Sequence, residues 1–388
     1  MIIAKLIRLL KVNKLNSWRA PSDIKNIKNK QMKYSLFFIA LLIFAAGAGS
    51  INQHSNVPGR ETAEVPSVKH SRIMFYNVEN LFDTFDDSVK RDDEFLPWGM
   101  RHWTYEKYID KLIKVYKVII AVGEGRLPCL VGLCEVENRY CLNGLLLKTP
   151  LKKFDYEIIH YESPDKRGID VALLYRESAF TPIESKPIQP DFPARLTTRP
   201  TRDILYVKGI LQNTDTLHVF VNHWPSKYGG AKRTDPLRVF VGELLKELTD
   251  SLFAINPAAN IIIMGDLNDE PDSKSITAGL QAESTFDEII RNSLYNLSYY
   301  LQFTKKEWSH KFHEHYGIID QIIVSGSMLR PGNKLRTSPE YAKVFRNSFL
   351  LEDDEKFLGK KTFRTFIGFK YHGGYSDHLP VYVDIFTE

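Results

Sequence analysis

Near its C-terminal end the chain places an acid and an imidazole side by side, in Tyr375-Ser376-Asp377-His378-Leu379-Pro380, just before the apolar Val381-Tyr382-Val383. Four earlier segments share this design. Residues 73–77 end at Asn77, residues 130–135 at Glu135, and residues 219–223 at Asn222-His223. Residues 261–268 run into Gly265-Asp266-Leu267-Asn268. Imidazoles and carboxylates move protons, and carboxylate and amide oxygens bind hard cations. Polar groups that close several apolar β-runs are the sequence mark of a site assembled from many strand ends. Glu135 stands out, because a carboxylate at the end of an apolar run needs a partner or a metal.

Taken singly, these segments also have plainer readings. Asp266-Leu267-Asn268 serves equally as a turn after a buried strand. His223-Trp224-Pro225 serves as a packed strand end. Taken in order, Asn77, Glu135, Asn222-His223, Gly265-Asp266-Leu267-Asn268, Asp320 in Ile318-Ile319-Asp320-Gln321, and Ser376-Asp377-His378 resemble the endonuclease/exonuclease/phosphatase superfamily. The resemblance spans about residues 71–386. It implies a four-layer α/β sandwich, two packed mixed β-sheets flanked by helices, of the DNase I-like type.

The resemblance also implies roles. Asn77 and Glu135 match the amide and carboxylate that hold a divalent metal, and Asp377 matches a nearby carboxylate. Such oxygen ligands suit Mg²⁺, Mn²⁺ or Ca²⁺ better than zinc. Asp266 and Asn268 match the pair at the scissile phosphate. Asp320 matches the acid that orients His378, and His223 matches the other active-site imidazole. Phosphoester hydrolysis needs neutralised non-bridging oxygens, a water placed in line and a proton for the leaving oxygen. Asn222, Arg202 and Lys227 are the candidates for substrate contact, Lys227 in a basic loop that continues to Arg233. Asp170 is a candidate for orienting His223.

The elements that must position these groups follow from periodicity. Tyr105, Tyr108, Ile109, Leu112, Tyr116 and Ile119 have helical spacing, and residues 235–252 form a second amphipathic helix. A short helix is expected near 273–280. Further strands are expected at 156–161, 170–176, 204–211, 216–222, 318–324 and 380–386. Residues 83–100, acidic and aromatic without a period, read as a loop. His310, His313 and His315 read as an exposed hairpin and not as a metal site. Apolar strands outnumber helices, as in sheets buried on both faces. With 388 residues, 43% of them hydrophobic, the chain can bury a large core.

Residues 34–49 are apolar and follow Lys28, Lys30 and Lys33. That order predicts a signal peptide ending near Ala48 and an exported protein. An uncleaved signal anchor is the competing reading and the sole route to a membrane. Either Met1 or Met32 serves as a start. Residues 1–49 are thus an extension with a signal, 50–70 a linker, and 71–388 one catalytic domain. The formal charge of +5 misleads, since residues 1–48 hold nine Lys/Arg and one acid. The remainder carries 43 basic and 46 acidic residues, a net of −3, and so lacks the field of a DNA-coating protein. Cys129, Cys134 and Cys141 form no disulfide framework.

The expected function is a divalent-metal-dependent phosphodiester hydrolase, an extracytoplasmic nuclease first, with nucleic acid as partner and no stable protein partner. A lipid or small-molecule phosphodiesterase or phosphatase of the same fold is the alternative. A non-catalytic binding protein is the rival from another class.

Overall fold

The computed structural model describes residues 69–387 apart from residue 198. Residues 1–49, where a signal peptide is expected, and nearly all of the expected linker lie outside the described residues. Strands β1 (Lys69–Leu81), β2 (Leu130–Val136), β3 (Tyr156–His160) and β4 (Asp170–Arg176) belong to a first seven-stranded sheet. In it the C-terminal strand Val381–Thr387 lies antiparallel beside β1, and β1 runs parallel to β2. The second seven-stranded sheet contains β5 (Phe180–Ile188), β6 (Ile204–Leu211), β7 (Asp215–His223), β8 (Asn260–Asp266) and the strand Asp320–Ser325. There β7 and β8 are parallel, and β8 is antiparallel to Asp320–Ser325. Both sheets are therefore mixed.

The sheets pack face to face. Ile73, Phe75, Leu130 and Cys134 share one core with Val219, Val221, Ile262 and Met264. Gly132 marks a close approach, since a Cβ there would stand 2.9 Å from Met264 Cε. Helix α1 (Tyr105–Gly123) covers the outer face of the first sheet through Leu112, Val115, Val118, Ile119 and Val122, a three-and-four spacing. Helix α2 (Arg139–Leu147) adds Leu142 and Leu145. Helix α3 (Ala231–Ile255) covers the second sheet with Val241, Leu245 and Phe253 against Phe220, Ile261 and Ile263. Each fully buried Leu or Ile stabilises the fold by about 1.5–3 kcal/mol relative to exposure. Coverage on both faces explains why the strands read as unbroken apolar runs. The four layers are helix, sheet, sheet, helix.

Some elements differ from expectation. Strand β1 does not stop at Asn77 but continues to Leu81 past a register shift. Strand β5 was not legible, because its alternate residues face water and it contains Pro182 and Pro187. Within 83–100 the loop holds a 3₁₀ turn at Asp93–Phe95. The expected short helix is a π-turn at Ser275–Leu280. The three cysteines are buried and free.

Candidate active site

The site is built from strand ends brought to one level. In the second sheet His223 pairs in register with Asp266, and Asp266 with Asp320. Gly265 permits this, because a Cβ there would lie 2.4 Å from the Asn222 carbonyl oxygen on β7. In the first sheet Asn77 pairs in register with Cys134, and a bulge follows it in each strand. Glu135 occupies the bulge of β2 at φ +60°, and Glu79 that of β1 at φ +50°. Non-glycine residues held there cost about 1–3 kcal/mol each. Such bulges re-aim side chains, here Glu135 toward His223 of the facing sheet and Glu79 toward Arg364 and Thr365.

Asp266 is the hub. Asn77 Nδ2 donates to its Oδ2 at 3.0 Å across the two sheets, and the Asn268 backbone N–H donates to its Oδ1 at 2.9 Å. His223 Nε2 and His378 Nε2 face the same Oδ2 at 3.6 and 3.8 Å. His378 Nδ1 lies 2.8 Å from Asp320 Oδ2, which also accepts from Ser309 Oγ at 2.6 Å. The ring of His310 packs on His378 at 4.8 Å.

The two imidazoles are held in opposite states. Burial opposes charge on His378, but Asp320, Asp266 and Asp377 outweigh it and raise its pKa well above the usual value. Burial, helped by Arg202, Arg167 and His378, pushes His223 well below its usual value. His223 is therefore neutral beside a charged His378. Its Nδ1 is buried without a partner among the described residues, while Nε2 faces carboxylates. The ring proton belongs on Nε2 by that geometry. Burial, with Asp320 adding, raises Asp266 to about 7 against the pull of His378. A carboxylate so placed can take a proton near neutrality.

An acidic group lies beside this hub. Glu135 Oε2 accepts from Asn80 N–H at 3.0 Å. Its Oε1 has Asn77 Nδ2 at 3.5 Å and the exposed Arg167 at 3.9 Å. Asp377 Oδ1 has His378 Nε2 at 3.9 Å. These two oxygens keep lone pairs free of close donors, and Glu79 adds a third carboxylate. An all-oxygen set of this kind fits a hard divalent cation. Glu135 and Asp377 would hold it, and Glu79 would join them only where Arg364 releases its Oε1.

The structure brings together Asn77, Glu135, His223, Asp266, Asn268, Asp320, Asp377 and His378. It gives some of them different tasks. The Asn77 carbonyl oxygen is taken by the Glu79 backbone N–H at 2.9 Å, so its amide nitrogen faces the carboxylates. Asn77 positions Asp266 and offers a cation no oxygen. Asn268 Nδ2 donates to the Trp224 carbonyl at 3.0 Å. Asn222 does not face the site: it is fully buried, its amide shared among Phe220, Met264 and the Trp224 indole. Arg202 is buried too, engaged by Trp224 O at 2.5 Å and Asp165 at 3.3 Å, and braces the end of β7. Lys227 lies 3.3 Å from Asp269. Asp170 bonds His160 at 3.1 Å and does not orient His223.

Sequence reasoning missed Glu79, Arg364, Arg167, Ser309 and Lys111. Glu79 was findable, being two residues past Asn77 in an alternating run. Arg364 pairs with Asp377 and Glu79. Lys111 lies buried on α1, bonding Thr365 Oγ1 at 2.5 Å and Tyr375 O at 2.6 Å. Of the three histidines placed on a hairpin, all lie on or beside the strand pair His310–Phe312 and His315–Gly317, but His310 turns inward to His378.

Solved structures of low sequence identity are similar to this chain. Humanized D. rerio TDP2 is 14% identical, with 81% of this chain and 98% of that chain covered and a TM-score of 0.50. The human Nocturnin catalytic domain with bound sulfate is 17% identical, covers 82% and 98%, and scores 0.47. Bacteroides thetaiotaomicron mannosyl-6-phosphatase is 15% identical, covers 81% and 99%, and scores 0.46. No curated protein matches the sequence. Residues 72–387 match the sequence profile of the Endonuclease/Exonuclease/phosphatase family, and the chain belongs to that family of phosphoester hydrolases.

Proposed function

We propose that the protein is a Mg²⁺- or Mn²⁺-dependent phosphodiesterase that acts on nucleic acid. The observation that carries the hydrolytic part is the pair of imidazoles in opposite states around Asp266 Oδ2. Asp266 takes a proton from the attacking water as its oxygen bonds to phosphorus. His378, charged and held by Asp320, gives its Nε2 proton to the leaving oxygen as the ester bond breaks. Neutral His223 steadies the water through Nε2. A divalent cation held by Glu135 and Asp377 would neutralise charge on the non-bridging oxygens.

Nucleic acid is favoured by exposed rings on a hairpin that follows Arg364 in the chain and on a loop tied to it. The hairpin of Phe366–Ile367 and Lys370–Tyr371 starts two residues past Arg364. Its Phe369 is 49% exposed, and Arg101 lies 5.4 Å over that ring. Arg101 donates to Gly368 O at 2.9 Å, which ties in a loop whose Trp98 is 74% exposed. Open rings beside cations stack bases at about 1–3 kcal/mol each. The exposed Ile367 and Met100 on the same two loops favour a second reading, a lipid phosphodiesterase. A panel of DNA, RNA, sphingomyelin, phosphoinositide and a chromogenic diester, with Mg²⁺, Mn²⁺, Ca²⁺ or EDTA, separates them. Cleavage of lipid with DNA and RNA untouched sinks the nuclease reading.

The proposal includes export, motivated by the basic and apolar order of residues 28–49. Intact mass of protein from periplasm or medium should place the new terminus near Ala48. Recovery from the cytoplasm alone, with residues 34–49 retained, overturns this.

A further inference from the structure

Arg364 is placed as a cation among the acids of the site. Its Nε and Nη2 both lie 3.1 Å from Glu79 Oε1, and Nη2 lies 2.9 Å from Asp377 Oδ2. Glu79 is 2% exposed, so one end of the pair is buried. The arginine side chain is 43% exposed, and its Nη1 takes part in neither pair. The guanidinium thus bridges the inner carboxylates and remains partly open to solvent.

The backbone around it is fixed independently. Gly374 N–H donates to Arg364 O at 3.1 Å, and Tyr375 N–H to Phe363 O at 2.6 Å. Thr362 Oγ1 donates to Asp377 O at 3.1 Å. Thr365 N–H donates to Glu79 Oε2 at 2.6 Å, and Lys111 supports Thr365 from behind. Glu79 therefore stays anchored when the guanidinium leaves. A rotation of the Arg364 side chain alone moves the charge.

Two charges then compete for the same oxygens. A divalent cation bound by Glu135, Asp377 and Glu79 repels a guanidinium on two of those carboxylates. A phosphodiester anion approaching Asp266 and these acids meets repulsion that a cation beside them offsets. A guanidinium fork suits two phosphate oxygens at once. We propose that Arg364 is an internal counter-cation of the acidic cluster, which cedes its carboxylates to the divalent metal ion and then holds a non-bridging oxygen of the substrate phosphate. This rests on the metal-dependent phosphodiesterase reading and adds a specific binding residue to it.

The test compares wild type with Arg364→Gln and Arg364→Lys. Mn²⁺ is titrated calorimetrically into EDTA-treated, dialysed protein, and Tm is recorded with and without Mn²⁺. Kinetics use bis(p-nitrophenyl) phosphate, with inorganic phosphate as competitor. Arg364→Gln should bind Mn²⁺ about tenfold tighter, because a competing charge is gone. Its Tm without metal should fall and recover with Mn²⁺, since Glu79 loses its partner. Its KM for the diester and its inhibition constant for phosphate should both rise about tenfold, the usual worth of one charged hydrogen bond. Arg364→Lys should keep the Mn²⁺ affinity of wild type and recover part of KM. Unchanged or weaker Mn²⁺ binding in Arg364→Gln makes Arg364 a structural brace and overturns the proposal. Tighter Mn²⁺ binding with unchanged KM overturns the phosphate contact. Diester hydrolysis by wild type that binds no Mn²⁺ and ignores EDTA instead overturns the metal reading beneath it.

Discussion

Asn77 Nδ2 reaches Asp266 Oδ2 at 3.0 Å, one side chain from each sheet, and this bond fixes the Asp266 carboxylate across the core. The Asn77 carbonyl is pinned by Glu79 N–H, so the amide cannot turn over without losing a buried bond. Asn77→Ala should lower kcat on a chromogenic diester about 10–100-fold, the usual loss for a group that orients another. Asn77→Asp should do worse, because it sets a second carboxylate against Asp266. Equal activity in wild type and Asn77→Asp refutes the positioning role.

His378 and Asp320 act as one unit through the 2.8 Å contact. His378→Ala should reduce kcat by roughly 10²–10⁴. Asp320→Asn should reduce it less, by weakening the charge on His378, and the double variant should be no worse than His378→Ala. Additive losses show that the two residues work separately. His223→Ala should also lower kcat, with little change in Tm.

Glu135→Gln should abolish Mn²⁺ binding by calorimetry and turnover together, while the far-UV circular dichroism stays native. Glu135 holds the β2 bulge through Oε2 and Asn80 N–H, a bond the glutamine oxygen keeps. Full activity of this variant, or of wild type in EDTA, removes the metal from the mechanism.

How much was legible follows from which forces act locally. Apolar runs ending in Glu135, His223 and Asp266 announce strands because both sheet faces are covered. The register that sets His223, Asp266 and Asp320 at one level is a pairing between distant segments and leaves no local mark. Asn222 looked like His223 in sequence, yet alternation sends successive side chains to opposite faces. Arg202 and Arg364 are both arginines near polar residues. Only the fold buries the first behind Trp224 and leaves the second partly open to solvent. Asn77 is expected from sequence to hold a metal, but the direction of its amide depends on a backbone N–H two residues on.

A pH-dependent part of stability comes from His218, remote in the chain from these acids. Burial, with Lys208 adding, pushes its pKa down to about 4, and its Nδ1 lies 2.9 Å from Tyr206 Oη. Its folded value is below the unfolded one, so the unfolded chain binds the extra proton. His218 therefore contributes stability fully above about pH 6.5, lost as pH falls toward about 4. Denaturant midpoints of wild type should drop across this window, and His218→Gln should flatten that part of the slope. An unchanged slope places the acid sensitivity elsewhere.

Trp98 and Phe369 separate a polymer substrate from a minimal one. Both rings are open to solvent on loops joined by Arg101. A chromogenic diester has no flanking bases, so Trp98→Ala and Phe369→Ala should leave its kcat and KM near wild type. An oligonucleotide gains about 1–3 kcal/mol per stacked base, so each variant should raise its KM by roughly tenfold or more with kcat held. Weaker salt dependence than a duplex-coating protein is expected, given the net charge of −3 outside residues 1–48. If both substrates lose equally, the loops support the catalytic fold. If neither changes while hydrolysis of vesicle phospholipid falls, the rings meet a lipid surface and the substrate is not nucleic acid.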